Sequence, residues 1–218
     1  MAADATTADD NTALGAGGSL TVADFSNGRE WWVSRSQAKA LGLIASDGAN
    51  DGTTTFGAGY SFTFSGPIAA GTYDFKGIAA HEISEVLGRL GISGGTIGSF
   101  PLSFSLIDAF AYTGANTRNA GTGAGVNFSI NQGTTLLKLW NNANLNSLDT
   151  RDWAPGSNDA FNQFSNSGVV NGVSTVDLRL MDVLGYDLVA APEPSVGVLL
   201  SSAICVAALF RRRFHNAS

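Results

Sequence analysis

The chain has 218 residues, which is enough for one domain of ordinary size with extensions. Charged residues make up 14% of it, 27 residues are glycine, and the net charge is −6. This composition argues against a long helical bundle, and the acidic balance argues against a nucleic-acid-binding protein, since no basic stripe is present to contact phosphates. It suits a loop-rich, partly β extracellular domain.

The N-terminal part of the chain predicts a disordered segment, a strand and a helix. Residues 1–18 are mostly Ala, Thr, Asp and Gly and have almost nothing to bury, so we expect them to be disordered. Residues 20–25 alternate well enough for a short strand. Residues 27–41 predict a helix, because Asn27 can cap it, apolar and aromatic residues recur at helical intervals, and Gly42 follows.

Two strands and a second helix are expected next. Residues 53–56 and 60–64 carry the β-branched and aromatic residues that suit strands. One of them could be an edge strand along which a protease lays its peptide substrate. The helix is predicted to begin near Thr72 or Asp74 and to run to about Gly88.

This helix carries the most informative motif in the chain, H-E-I-S-E at residues 81–85. Residues four apart lie on one face of a helix, so His81 and Glu85 present a ring nitrogen and a carboxylate to the same point. Glu82 lies about 100° around the helix, close enough to reach a water held there. H-E-x-x-H binds zinc in this way, with its glutamate as general base; here Glu85 replaces the second histidine.

The same residues also fit a surface helix with a charged side. Two features favour the zinc interpretation. Small apolar residues at 77–80 indicate a buried helix, and Gly88 falls where the longer H-E-x-x-H-x-x-G-x-x-H motif turns the chain. The last histidine of that motif falls on Gly91, which has no side chain to offer a metal.

Downstream of the motif we expect a glycine-rich loop, a short apolar element and a β-hairpin. The loop covers residues 91–100, and the apolar element covers residues 106–112. The hairpin joins strands at 126–130 and 134–140 through a turn at 131–133.

A final helix at residues 174–184 closes the predicted domain, which spans residues 19–188. Ser174 can cap this helix, with Asp177 three residues later to complete a capping box. Apolar residues form a stripe along it, and Gly185 follows its last residue.

Three acids and two tyrosines are further candidates for the site. Asp108 is our candidate third metal ligand, because it follows the glycine-rich loop and is the one acid of an apolar element; a helix or turn cap is the alternative. Asp149 and Asp152 could bind calcium, although two acids with no third more often form a turn. Tyr112 and Tyr186 could donate to an oxyanion, with buried aromatic packing as the alternative.

The tail consists of a proline break, an apolar run at residues 196–210 and a basic cluster. The break is formed by Pro192, Glu193 and Pro194, and the cluster by Arg211, Arg212 and Arg213. The run is shorter than the usual span of about 20 residues, but the arginines fit the positive-inside rule. A core helix with a basic cap is the alternative. The chain has a single cysteine, Cys205, which lies in this run. Because there is no second cysteine, an intramolecular disulfide is excluded.

This order of parts, within residues 189–218, resembles the PEP-CTERM sorting signal of Gram-negative bacteria. The resemblance implies export, a transient inner-membrane anchor, and processing by an exosortase near Pro192, Glu193 and Pro194. Such proteins carry an N-terminal signal peptide. The first residues here have neither a basic nor an apolar region of that kind, so we expect the sequence to begin inside a longer protein.

Residues 38–188 resemble a family of PEP-CTERM-tagged, zincin-like bacterial metalloproteases. The resemblance is carried by residues 74–89, 106–112, 128–133, 149–154 and 174–187. It implies an α+β, metzincin-like domain with a mixed sheet and an active-site helix. In that family pattern His81 is a metal ligand, Glu82 is the general base, and Glu85 occupies the second-ligand position, where many relatives have histidine.

The first functional hypothesis is an exported zinc-dependent endopeptidase that holds one zinc ion through His81, Glu85 and Asp108. One histidine and two carboxylates make a harder and more anionic site than two histidines and one carboxylate, so we expect it to hold zinc less selectively. The second hypothesis is a catalytically inactive zincin-like surface or matrix protein. A third is an inert fragment of a longer protein.

Overall fold

The computed structural model describes residues 5–20, 29–141 and 150–188. Within these ranges the chain is a mixed α and β structure with three small sheets. In chain order its elements are α1 (Ala8–Leu14), β1 (Glu30–Trp32), α2 (Arg35–Ala40), β2 (Phe62–Thr63), β3 (Tyr73–Asp74), α3 (Phe75–Val86), β4 (Gly95–Ile97), β5 (Phe100–Ser105), a 3₁₀ helix (Leu106–Phe110), β6 (Ala111–Gly114), β7 (Thr117–Arg118), β8 (Asn127–Phe128), β9 (Lys138–Leu139) and α4 (Thr175–Val183).

Several sequence predictions fall outside the described residues. They are most of the strand predicted at 20–25, the acid Asp149, and the whole tail at 189–218 with its proline break, apolar run and arginine cluster. Among the residues that the structure does describe, no helix is long and apolar enough to cross a membrane.

The helix α1 corrects the prediction of disorder at residues 1–18 for the part of that range that the structure describes, residues 5–18. Thr7 and Asp10 form a capping box at its first turn. Asp9 accepts two hydrogen bonds from the guanidinium of Arg179 on α4, at 2.6 and 2.8 Å. Thr7 also donates to Asp182, near the end of α4. The composition of residues 1–18 did not predict this helix. Its polar contacts are with α4, which is distant in sequence, and they help to hold α1 in place.

The first sheet has the strand order β1-β5-β4, with β1 parallel and β4 antiparallel to β5. The predicted helix at 27–41 is therefore wrong over residues 29–34, whereas its predicted cap, Asn27, lies outside the described residues. Trp31 lies opposite Phe104 of β5, with ring centroids 5.5 Å apart, and α2 begins only after Ser34. Packing across the sheet outweighs the helical spacing of these residues. The predicted glycine-rich loop at 91–100 contains β4.

The second sheet pairs β2 with β3 in parallel, and β3 leads directly into α3. The strand predicted at 60–64 is confirmed in its centre, whereas residues 53–56 form no strand. The third sheet, β7-β6-β8-β9, is antiparallel. Its β8–β9 pair, with Phe128 opposite Lys138, confirms the predicted hairpin.

The hydrophobic core lies between the 3₁₀ helix, the third sheet and α4. Trp140 and Trp153 stack with ring centroids 4.2 Å apart, and Phe128 packs against both rings. Trp153 is fully buried and is fixed by a hydrogen bond from its Nε1 to Asp177 of α4. This packing fixes the segment around residue 152 in the interior.

The helix α4 confirms the predicted cap, with Ser174 and Asp177 forming the capping box. Burial raises the pKa of Asp177 to about 6, and the nearby carboxylate of Asp159 adds to this rise, while hydrogen bonds from Ser174 and Trp153 oppose it. Between its ordinary value of 3.8 and about 6, the folded protein therefore binds more protons at this carboxyl group than the unfolded chain does.

We expect Asp177 to make the free energy of unfolding fall as the pH rises from about 4 to about 6. Its stabilising contribution is complete below the lower value and lost above the upper one, and amounts to at most about 3 kcal/mol, because the lowered pKa of the neighbouring Asp159 acts in the opposite direction. The Asp177→Asn variant has no such proton to lose. Urea unfolding at pH 4, 5, 6 and 7 should show the wild type losing its advantage over the variant with rising pH. A difference that grows with pH would contradict this.

Candidate metal centre

The helix α3 places the motif residues as its spacing predicts. Asp74 caps the helix by accepting a hydrogen bond from the backbone N–H of Lys76. One turn separates His81 from Glu85, and their Nε2 and Oε1 atoms lie 3.3 Å apart. Gly88 then turns the chain with a φ of +110°, a conformation that glycine adopts without strain.

The third residue at this point is Asp152, which comes from the segment fixed by the core. Its Oδ1 lies 3.7 Å from the Nε2 of His81. Together His81, Glu85 and Asp152 offer ligand atoms that all lie within 4.8 Å of one another. A tetrahedral zinc ion with bonds of about 2.0–2.2 Å has its ligand atoms roughly 3.3–3.6 Å apart. The distances from His81 to the two carboxylates are close to this range.

The ring of His81 is oriented as a metal ligand requires. Its Nδ1 lies 2.9 Å from the carbonyl oxygen of Ala160, which can only accept a hydrogen bond, so the proton is on Nδ1. When the ring is neutral, the lone pair of Nε2 therefore points towards Glu85 and Asp152. A backbone carbonyl that fixes the tautomer in this way is a common partner of metal-binding histidines.

The cluster attracts positive charge. The Oε1 atom of Glu85 is buried and has no hydrogen-bond partner among the described residues. Burial lowers the pKa of His81 and so does the charge of Arg89, but the carboxylates of Glu85 and Asp152 outweigh them and raise it above its ordinary value. A proton on Nε2 and a metal cation are therefore alternative ways to satisfy the same two carboxylates.

Arg89 is a buried member of the cluster that the sequence did not identify. Its Nη1 lies 2.6 Å from Asp152, its Nε donates to Ser84 at 2.7 Å, and its guanidinium stacks on Phe161. Its Nη2 is 3.6 Å from Glu85. The guanidinium of Arg89 offsets the charge of one of the two carboxylates. The cluster with a neutral His81 therefore carries the same formal charge as a site of two neutral histidines and one carboxylate. This reduces the anionic character that the sequence predicted for the site.

Two cavities that share Ile78, Glu82 and Ser165 lie along α3 and are together called the cleft; His81 is the cluster residue that lines it, and Glu82 contributes to both halves. The polar half, about 200 Å³, is lined by residues that include His81, Asn162 and Gln163. The other half, about 310 Å³, is largely aromatic and is lined by Phe56, Tyr60, Phe62 and Tyr73 among others. The half-buried carboxylate of Glu82 makes no hydrogen bond or ion pair with the described residues, and so is available to a molecule in the cleft.

Asp108 does not lie in this cluster, and its assignment as third ligand is corrected here. It is fully buried and accepts hydrogen bonds from the backbone N–H groups of Ser93 and Ser105, at 2.9 and 2.8 Å. It also pairs with Arg151 at 2.8 Å. The alternative considered from the sequence, a turn cap, describes its contacts better.

The other sequence candidates have defined positions as well. Asp152, considered for calcium together with Asp149, is instead the partner of His81 and Arg89. The hydroxyl of Tyr112 accepts hydrogen bonds from Arg118, and the hydroxyl of Tyr186 donates to the carbonyl of Leu87. Both tyrosines therefore act in packing, and neither lines the cleft.

No protein-family model matches the chain, and neither a curated protein nor a solved structure matches it. The zincin-like fold and the family resemblance therefore stay predictions from the sequence.

Proposed function

We propose that this chain is a zinc-dependent endopeptidase whose metal ligands are His81, Glu85 and Asp152. The observation that carries the proposal is the convergence of these three side chains beside a cleft that Glu82 lines. The Oε1 of Glu85, which accepts no hydrogen bond among the described residues although it lies within ion-pair distance of His81 and Arg89, fits a bound cation, and so does the fixed tautomer of His81. The ligand set combines one imidazole with two carboxylates, all groups that zinc accepts.

Each residue has a definite role in this proposal. Zinc, when bound, acts as a Lewis acid that lowers the pKa of a water and polarises a carbonyl. Glu82 accepts a proton from the attacking water in the cleft and returns it to the leaving amine. Ala160 orients His81, and Arg89 holds Asp152 in place. The aromatic half of the cleft offers a place for a large apolar side chain of the peptide.

The tail supplies the proposed location of the enzyme. We propose that the PEP-CTERM-like segment at residues 189–218 directs the protein to the cell envelope, where an exosortase processes it. The inner membrane is then a transient anchor, and peptides outside the cytoplasm are the substrates.

A second function is favoured by one observation. Arg89 already forms a 2.6 Å ion pair with Asp152, and a protonated His81 can neutralise the remaining carboxylate without any metal. In this alternative the cluster is a structural network, and the chain is a catalytically inactive surface or matrix protein.

Replacing each of two buried aspartates with asparagine, in separate variants, tests the proposed site. Asp152→Asn should weaken zinc binding by more than the 10- to 100-fold that loss of an outer-shell partner typically costs, and should abolish casein hydrolysis. Asp108→Asn removes a buried acid of the same type outside the cluster. We expect this control to lower thermal stability and to leave zinc affinity within about 3-fold, because Asp108 is not a ligand.

Zinc affinity is measured by competition with a chromophoric chelator on protein shown to be folded by circular dichroism. If Asp108→Asn loses zinc and Asp152→Asn retains it, the ligand assignment made here is wrong. If both variants bind zinc and hydrolyse casein like the wild type, the cluster is not the catalytic centre.

A further inference from the structure

Lys138, Asp159 and Asp177 form a second cluster of ionisable groups, which the proposed mechanism does not use. Lys138 of β9 forms an ion pair and a hydrogen bond with the carboxylate of Asp159. Asp159 is only 4% exposed, and Asp177 of α4 is fully buried. The carboxyl groups of the two aspartates are hydrogen-bonded to each other. An amine, a carboxyl group and a second acid therefore meet inside the protein.

The proton between the two aspartates belongs to Asp177. Two carboxyl groups can form a hydrogen bond only if one of them carries a proton. Burial raises the pKa of Asp177 to about 6. Burial also opposes ionisation of Asp159, but hydrogen bonds from Lys138 and from the backbone N–H of Phe161 outweigh it and hold its pKa below the ordinary value. Asp177 is therefore a proton donor placed directly beside the carboxylate that Lys138 contacts.

The three groups are held in place by the aromatic core. The Nζ of Lys138 lies 5.1 Å from the centroid of the Trp153 ring, and the Nε1 of Trp153 donates to Asp177 at 2.6 Å. The backbone N–H of Phe161 donates to Asp159 at 2.9 Å. The folded chain thus fixes the amine against the carboxyl group before any reaction. Groups positioned in this way react with effective molarities of about 10⁵–10⁸ M.

The interior also favours a neutral product over an ion pair. A buried ion pair loses hydration that its mutual attraction only partly replaces, and uncharged groups in its place are often equally or more stable. Asp159 has little access to water, which reverses amide formation in solution. Lys39 pairs with Asp47 and Asp51 as well, but these two carboxylates are more exposed, and water hydrates them. The buried pair is therefore the one suited to condensation.

We infer that Lys138 and Asp159 are joined by an intramolecular amide bond that the folded protein forms by itself. The ammonium group of Lys138 gives one proton to the carboxylate of Asp159, which leaves a neutral amine and a neutral carboxyl group. The Nζ attacks the Cγ of Asp159, and a Nζ–Cγ bond forms. Asp177 donates its proton to the departing hydroxyl group and takes one back from the attacking nitrogen. The Cγ–O bond breaks, one water molecule leaves, and no group is oxidised or reduced.

The bond connects β9 to the segment that orients His81 through the carbonyl of Ala160. It closes residues 138–159 into a loop that contains Asp152. Like a disulfide, such a cross-link stabilises the fold by restricting the unfolded chain. The inference goes beyond the proposed function, because neither zinc nor peptide hydrolysis is needed for the bond to form.

The mass of the purified 218-residue chain under denaturing conditions is the first measurement. We expect a mass lower than the sequence requires by one water molecule. Trypsin should not cleave after Lys138, so the digest should contain residues 119–151 joined to residues 152–179. This branched peptide decides the result, since Asp47 and Asp51, each followed by glycine, can also lose water as succinimides.

Three variants identify the groups that form the bond. Lys138→Arg keeps the positive charge but has no amine to condense, so it should lack the branched peptide and melt about 6–12 °C below the wild type, the effect of closing a loop of this length. Asp177→Asn should slow condensation by roughly 10²- to 10⁴-fold and be purified mostly unlinked. Lys39→Arg is the matched control at the exposed ion pair and should contain the branched peptide like the wild type.

A folded wild-type chain at its full sequence mass would overturn the inference and leave Lys138 and Asp159 as an ion pair. Loss of water without the branched peptide would overturn it as well. Complete linkage in freshly purified Asp177→Asn would contradict the role of Asp177 as proton donor. Because these measurements involve neither metal nor substrate, they can succeed or fail independently of the zinc peptidase.

Discussion

Replacing Glu82 with glutamine is expected to lower kcat/KM for casein hydrolysis by roughly 10²- to 10⁴-fold, the usual contribution of a general base. The carboxylate lies in the cleft and makes no hydrogen bond or ion pair with the described residues. The isosteric amide therefore removes the ability to accept a proton and leaves packing intact. Zinc content and melting temperature should stay at wild-type values.

A matched control is Glu30→Gln, which makes the same substitution at an exposed position on β1. It should leave kcat/KM unchanged. If Glu82→Gln retained activity within a factor of about 3, another group would have to supply the base, and the assignment of Glu82 would fail. A loss of zinc in Glu82→Gln would instead place this residue among the metal ligands.

Replacing Arg89 with methionine is expected to destabilise the zinc-free protein by about 3–5 kcal/mol, the cost of removing one partner from a buried ion pair. Arg89 is 1% exposed and contacts Asp152, Ser84 and Phe161. Its loss leaves two carboxylates facing each other without a permanent cation. For a domain of this size, the melting temperature should fall by roughly 6–20 °C.

Saturating zinc should restore part of this loss, since the metal offsets the charge that Arg89 no longer provides. The control is Arg179→Met, which breaks the partly exposed pair with Asp9 and should cost less than about 1 kcal/mol. Thermal unfolding of the two variants with and without zinc makes the comparison. An Arg89→Met variant as stable as the Arg179→Met variant would show that the cluster is not electrostatically coupled.

The parts of the site that were predicted from the sequence are local. Asp74 caps α3, the spacing of His81 and Glu85 places them on one face, and Gly88 ends the helix. All of these follow from helix periodicity and capping, which act within a few residues. The β8–β9 hairpin and the capping box of α4 were predictable for the same reason.

The third ligand could not be chosen from the sequence, because it depends on long-range packing. Asp152 meets Arg89 from 63 residues away in the chain. Its position follows from the stacking of Trp153 on Trp140 in the core. Asp108 was predicted as the third ligand because it is a lone acid among apolar residues. A buried turn cap produces the same sequence pattern. The sequence offered one signal that Asp152 is buried. It stands between Arg151 and Trp153, two large side chains that are themselves buried.

The errors at the N-terminal side have a related cause. Trp31 fits a helical pattern, but its contact with Phe104 places it in a sheet. The helix α1 has little apolar surface, and its contacts with Arg179 and Asp182 lie at the other end of the chain. In both cases, partners distant in sequence decide the local structure.

The measurement that tests the metal site most directly is the zinc content of the purified 218-residue chain. The wild type and the His81→Ala variant are dialysed against metal-free buffer, checked for folding by circular dichroism, and analysed by native mass spectrometry. We expect about one zinc ion per wild-type chain and none in the variant. A folded wild-type protein without stoichiometric metal would contradict the zinc peptidase and leave the structural ion-pair network as the function of the cluster.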